Sequence, residues 1–160
     1  MTQPAVPAEA DVRAFVYDWY RKLDLHADVG QYLPLLSGAD AVMVFPEAKL
    51  QGVDAFSAWY RGGSPKFDLP GVINQFFDEA HELKRVDVCI AGNGTGDWRA
   101  DVLIVVKWEA RRWQPPNPKS EYLGFDAWQR WVLKLSPAGQ PVIQQYIVDK
   151  LEKLQGSADL

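Results

Sequence analysis

The chain has 160 residues, 48% of them hydrophobic and 24% charged, the balance of a globular protein and not of a disordered one. A formal net charge of -4 argues against a nucleic-acid partner or an anionic membrane surface, since either favours a basic face. One cysteine, Cys89, excludes an intrachain disulfide and a cysteine-rich metal site, and it fits a reducing compartment. No run of about 18 apolar residues occurs, so no membrane span is expected. MTQPAVPAEADVR lacks the basic-then-apolar start of a secretory signal. The expected setting is cytoplasmic, and the expected organisation is one domain over 1–160 with its core at about 11–151.

Residues 1–6 form a short polar, proline-containing lead. Pro7 suits a first helical turn, and Val12, Phe15, Val16, Trp19 and Leu23 then recur at helical spacing, opposite Asp11, Arg13, Asp18 and Arg21. A break at Asp24-Leu25-His26 leads to a second predicted helix carrying Val29, Tyr32, Leu33 and Leu36, which Pro34 should distort. A short strand, Ala41–Phe45, stops at Pro46. After a polar link, Gly52 precedes a third helix with Val53, Phe56, Trp59 and Tyr60 on one side, ended by Gly62-Gly63. Residues 64–80 read as irregular, with Phe76-Phe77 pinned over the core.

The strongest signal is the stretch from His81 to Trp113, which reads as two long strands around a glycine-rich turn at Ala91–Asp97. Val86–Ile90 alternates, and Val102–Val106 is apolar on both faces, the mark of a strand covered on both sides. A bulge near Lys84-Arg85 would set the register of the first strand. Gln114–Gly124 is a proline-rich loop that could lay Tyr122 over a pocket mouth. Phe125–Leu135 and Val142–Leu151 complete the sheet around the reversal at 136–141, and the tail from Glu152 ends in a helical turn or frays. Helices followed by hairpin-linked strands predict an α+β fold: N-terminal helices packed on a strongly curved, mostly antiparallel sheet enclosing a pocket. It is not a dinucleotide-binding fold, because Gly92-Asn93-Gly94-Thr95-Gly96 lies between two strands.

In that order of elements, and in the phrases Phe15–Tyr20, Asp28-Val29-Gly30, Ala41–Pro46, Gly52–Phe56 and His81-Glu82-Leu83, the chain resembles the nuclear transport factor 2-like superfamily, in particular its SnoaL-like branch. The resemblance covers roughly Asp11 to Leu151. It implies a cone-shaped fold with an interior pocket and a homodimer formed through the sheet. It also implies a range of activities, among them isomerase, dehydratase, cyclase, epoxide hydrolase and dioxygenase small subunit. Fold alone does not choose among these. Ketosteroid isomerases of the superfamily use two aspartates and a tyrosine at places that here hold Phe45, Trp131 and Trp19, so that trio's chemistry is not expected. The epoxide hydrolases' Arg-x-Asp pair is matched by Arg99-Ala100-Asp101, but Tyr146 occupies the last-strand place, and Asp101 faces outward if Val102, Ile104, Val106 and Trp108 face in.

His81 is the leading candidate acid or base; its alternative is a hydrogen-bonded strand-end histidine. Glu47, just past the first strand, could partner it, or could simply be solvated. Tyr20 could offer its hydroxyl to an oxyanion or flank the helix interface. Trp19, Phe45, Trp108, Tyr122 and Trp131 are the candidate ligand-binding walls. His26 reads as exposed, and two histidines without HxxxH or HExxH spacing give no metal signature. Cys89 reads as facing the other side of the sheet from Val88 and Ile90, and Leu103, Val105 and Trp113 as part of a dimer face. The expected function is binding of a small apolar molecule, with acid–base chemistry of isomerase, dehydratase or cyclase type and no cofactor. The alternative is a non-catalytic ligand-binding or accessory subunit, such as a ring-hydroxylating dioxygenase small subunit.

Overall fold

The computed structural model describes residues 5–160, so residues 1–4 of the expected polar lead lie outside the described residues. Helix α1 (Glu9–Asp24) carries Glu9 and Asp11 in its first turn and Arg21 and Lys22 in its last, each sign suited to its end of the helix dipole. The Asp11 carboxylate accepts a 2.9 Å hydrogen bond from the Ala8 N–H and so caps the start. Pro7 lies before the helix, not in it. Val12, Val16, Trp19, Tyr20 and Leu23 form its buried stripe.

The second predicted helix is replaced by three short 3₁₀ turns, Val29–Gln31, Leu33–Leu35 and Gly38–Asp40. Pro34 cannot donate to a continuing helix, and the turns are all that survive around it. Strand β1 (Val42–Val44) pairs antiparallel with β2 (Lys49–Gln51), so the polar link contains a strand that the residue pattern did not show. Helix α2 (Gly52–Arg61) follows and ends at Gly62, whose φ of 70° is open to glycine at little cost. A one-turn helix α3 (Val72–Gln75) and strand β3 (Phe76–Ala91) then occupy much of what was expected to be irregular. Of the Phe76-Phe77 pair, Phe76 packs edge-on against Trp108 while Phe77 is exposed.

Strands β4 (Arg99–Arg112), β5 (Glu121–Leu135) and β6 (Pro141–Lys153) complete a mixed, unclosed six-stranded sheet in the order β2-β1-β6-β5-β4-β3. β1 joins it parallel to β6. β5 starts at Glu121 because Arg112 and Arg111 of β4 pair with Glu121 and Tyr122, so Tyr122 belongs to a strand and not to the preceding loop. The register breaks at Leu83/Arg85 in β3, where a bulge was expected, and again at Trp128/Gln129 and Val132/Leu133 in the β5–β6 pairing. Such bulges bend strands, and here they curl the sheet around α1. Ala100, Val102, Ile104 and Val106 face the helix and are buried. Asp101 and Leu103 face out, so within one chain the outer side of Leu103 is uncovered.

Trp19 sits at the centre of the core, with ring centroids 5.3 Å from Tyr32, 5.8 Å from Phe56, 6.0 Å from Trp131 and 5.9 Å from Tyr146. One α1 side chain thus ties the helix to the 3₁₀ turns, to α2 and to two strands. The end of α2 is fixed differently. A Cβ on Gly62 would lie 2.0 Å from the Pro70 carbonyl oxygen, and one on Gly71 would lie 2.4 Å from the Arg61 carbonyl carbon. Gly62→Ala should therefore cost more than about 1 kcal/mol, read as a fall in the urea midpoint. Gly30→Ala, at a site with no neighbour within 4 Å and no positive φ, should leave the midpoint near wild type.

Candidate functional site

Between the end of α1 and the inner face of β3–β6 lies a cavity of about 490 Å³. Its walls are mainly apolar, with Phe45, Trp59, Phe76, Val106, Trp108 and Val148 prominent. The sheet leaves room here because the inward positions of one row hold small residues: Val106 of β4 pairs with Ala127 of β5. The ionisable side chains lining it are Glu47, Glu79, His81, Arg112 and Tyr146. A larger open groove of about 720 Å³ runs past the opposite ends of the strands, beside Gly38, Gly96 and Pro137. Its one charged lining residue, Lys134, is already paired with Asp40, so the smaller cavity is where the chemistry gathers.

His81 lines this cavity with a nearly buried side chain. Its Nδ1 lies 2.5 Å from Asp24 Oδ1, and its backbone N–H donates to Asp24 Oδ2 at 3.2 Å. Asp24 is the last residue of α1, so the helix end delivers a carboxylate to the strand. A carboxylate can only accept, which assigns the Nδ1 proton and leaves Nε2 as the free ring nitrogen. The Tyr20 ring lies over the imidazole at 4.9 Å between centroids. The partner of His81 is therefore Asp24 and not Glu47, which lines the cavity but accepts from Trp59 Nε1 at 3.1 Å.

A second histidine–carboxylate contact stands alongside. Glu79 Oε2 meets His26 Nε2, and Glu79 Oε1 accepts from Trp108 Nε1 at 3.0 Å. His26 is thus engaged and half-buried, where exposure was expected. Both His26 (φ 48°) and Asp78 (φ 51°), the residue before Glu79, adopt left-handed backbone, uncommon outside glycine. The register shift between Phe77 and Ala80 is what admits Glu79 to the wall. Among the described residues no group of three His, Cys, Asp or Glu side chains is arranged to hold a metal ion.

The other expected site residues divide. Phe45 and Trp108 line the cavity; Trp19 and Trp131 are core residues behind it, each 1% exposed. Tyr122 is not on the wall either, because its hydroxyl donates to Glu109 at 2.7 Å on the outer side of the sheet. The Tyr20 hydroxyl is committed to Gln129 Oε1 at 2.7 Å, so in this arrangement it supports the site without facing into it. Asp101 is on the outer face, paired with Arg99, which removes the epoxide-hydrolase match from the cavity. Asp24, Glu79 and Gln129 were not singled out from the sequence. Asp24 had a signal, since it lies four residues after Tyr20 on the buried flank of the same helix.

No protein-family model and no curated protein sequence matches this chain. Its fold is that of the nuclear transport factor 2-like superfamily, as solved structures show. A superfamily protein from Salmonella enterica serovar Typhimurium aligns at TM-score 0.65 and 12% identity, over 94% of this chain and 91% of that one. A scytalone dehydratase candidate from Novosphingobium aromaticivorans aligns at TM-score 0.63 and 15% identity, over 91% and 87%. The beta subunit of a benzoate 1,2-dioxygenase from Burkholderia mallei aligns at TM-score 0.59 and 16% identity, over 91% of each chain. At these identities the likeness is one of fold.

Burial at and behind the cavity also raises two tyrosine phenols. Tyr146, which lines it, has its phenol pushed up to about 12, chiefly by desolvation, and Tyr20 is raised well above the usual value for the same first cause. Unfolded tyrosines titrate near 10. The raised folded values therefore contribute stability that is complete below about pH 10 and is lost as pH climbs toward about 12. Urea midpoints measured from pH 8 to 11.5 should hold level and then fall beyond about 10, and Tyr146→Phe should flatten that fall.

Proposed function

We propose that the cavity binds a small, largely apolar molecule and that His81, oriented by Asp24, moves a proton on it, in chemistry of isomerase, dehydratase or cyclase type. The observation that carries this reading is the Asp24–His81 pair itself. A carboxylate fixes the imidazole tautomer and leaves the other nitrogen available at a mostly apolar wall. That is how a histidine is made ready as a general base, with the carboxylate stabilising the imidazolium that forms. The fold likeness to a scytalone dehydratase candidate is in keeping with dehydration as one form of this chemistry. Glu47 and Glu79 are the further carboxylates on the wall.

The test uses aromatic ketones and β-hydroxy ketones in D2O, following deuterium uptake beside the carbonyl by NMR and elimination by ultraviolet absorbance. Wild type should turn over at least one of them. His81→Asn should lower kcat by about 10²–10⁴-fold, and Asp24→Asn should lower kcat with little change in KM. Molecules that bind but never react, in every case, would leave a ligand-holding or accessory subunit as the correct reading.

A homodimer through the sheet belongs to the same proposal. Leu103 is 49% exposed on the outer face, beside Val105, and Val105 pairs with Trp128 of β5. An apolar strip on an otherwise finished sheet suits a second copy. Sedimentation should give a dimer that Leu103→Asp converts to monomer; a monomeric wild type rejects it. The fold likeness to a dioxygenase beta subunit supports the other occupant, a larger partner chain.

A further inference from the structure

We infer that Leu160 limits the length of the molecule the cavity accepts, and that Arg112 is a positioning residue that fastens the strap of residues 154–160 carrying it. This rests on the reading of the cavity as a binding site and adds what decides the size of its occupant.

Strand β6 ends at Lys153, but the chain does not leave the sheet there. The Leu154 N–H donates to the Gly124 carbonyl at 2.9 Å. After a turn at Gln155-Gly156, Ser157 Oγ accepts from the Gly124 N–H at 2.9 Å, and the Ala158 N–H donates to the Tyr122 carbonyl at 2.8 Å. The strap thus takes up the side of β5 that β6 has left. Two side chains then hold its far end: Arg112 Nη2 donates to the Asp159 carbonyl and Lys153 Nζ to Asp159 Oδ1, each at 2.7 Å. Leu160 follows, and it is the residue of the strap that lines the cavity.

Arg112 stands on the cavity wall with a side chain only 14% exposed. Its Nε and Nη2 also donate to Glu121 Oε2, at 3.3 and 3.1 Å. One guanidinium therefore joins β4, β5 and the strap. A planar fork can serve a carboxylate and a carbonyl at once, which a lysine ammonium in its place matches poorly.

The exposed members of the wall are Pro46, Glu47, Gln75 and Leu160. Glu47 and Gln75 are polar, and Pro46 is a closed ring. Leu160, 50% exposed, is the apolar side chain there with rotamer freedom and solvent on one flank. Elsewhere the wall backs onto the core: Val106 and Tyr146 are 1% and 3% exposed, and the Tyr146 ring lies 5.9 Å from Trp19. A packed interior resists even one extra methylene, so a longer occupant has to displace Leu160. β6 offers no substitute at this level. The paired row Trp108, Phe125, Lys153 ends in a lysine turned to Asp159, and the strap supplies the apolar side chain instead.

The experiment titrates the full chain with 4-alkylphenols, from 4-ethylphenol to 4-octylphenol, followed by NMR. In wild type, affinity should rise about 4-fold per methylene up to one chain length and level off beyond it. Leu160→Ala should move that break to chains longer by about two methylenes, and Leu160→Trp should move it to shorter ones. The half-exposed position lets the fold carry both. In Arg112→Met the Ala158 amide should lose its protection from hydrogen exchange while the β5–β6 amides keep theirs, and the break should move as in Leu160→Ala. Arg112→Lys, which keeps one donor, should restore part of both. A wild-type affinity that climbs without a break, or a break unmoved in both Leu160 variants, overturns the assignment while leaving the cavity as a binding site. An Ala158 amide still protected in Arg112→Met overturns the part given to Arg112. If no 4-alkylphenol binds wild type, the binding reading falls and takes this one with it.

Discussion

The contact between Asp24 and His81 is the constraint on which the site depends. It joins the end of α1 to β3, 57 positions apart in the chain, and it does so twice, through the side chain and through the backbone N–H. Such a contact fixes the distance between helix and sheet where the cavity opens. It also settles which ring nitrogen is left for the cavity, because the carboxylate accepts a hydrogen bond from Nδ1–H and so keeps the proton on that nitrogen. Structure and chemistry share one hydrogen bond here. Loss of the carboxylate would leave a partly buried histidine with neither its orientation nor its partner.

Much of the fold was legible because it is written in apolar periodicity. The α1 stripe, the alternation of β4 and the glycine-rich reversal between β3 and β4 each follow from residue spacing alone. The bulge near Lys84-Arg85 could be anticipated because His81 and Val86 cannot face the same side without one. What escaped was set by tertiary pairing. β2 is three residues long and takes its identity from β1, and the start of β5 takes its identity from β4. The expected second helix gives way to 3₁₀ turns for a local reason, Pro34, which breaks the helix outright instead of only distorting it.

The site was legible in its histidine and illegible in its partners. His81 sits on a strand of clear alternation, so its face can be argued. Asp24, Glu79 and Gln129 acquire meaning only through residues 57, 53 and 109 positions away, namely His81, His26 and Tyr20. Glu79 is the extreme case: a register shift and a left-handed Asp78 carry it to the wall, and no periodic pattern encodes either. The two left-handed residues, His26 and Asp78, stand beside the wall and bear the conformational cost that non-glycine residues carry there. Their presence at the one place where two histidine–carboxylate contacts lie side by side associates that cost with the arrangement of the site.

The tryptophans acquire a common role from this geometry. Their number suggests an aromatic cage for a ligand, yet Trp59, Trp108 and Trp131 each direct an N–H at an acceptor on the wall: Glu47, Glu79 and Gln129. An indole cannot accept, so each of these bonds also fixes what its acceptor can still do. Glu79 has one oxygen on Trp108 and the other on His26, and Gln129 has its oxygen fully used. Rigid rings thus immobilise flexible polar side chains before anything enters the cavity. Preorganisation of this kind lowers the ordering that binding would otherwise require, and it is what places donors and acceptors accurately enough for proton transfer. The aromatic content of this sequence accordingly serves the polar groups of the site at least as much as its apolar wall.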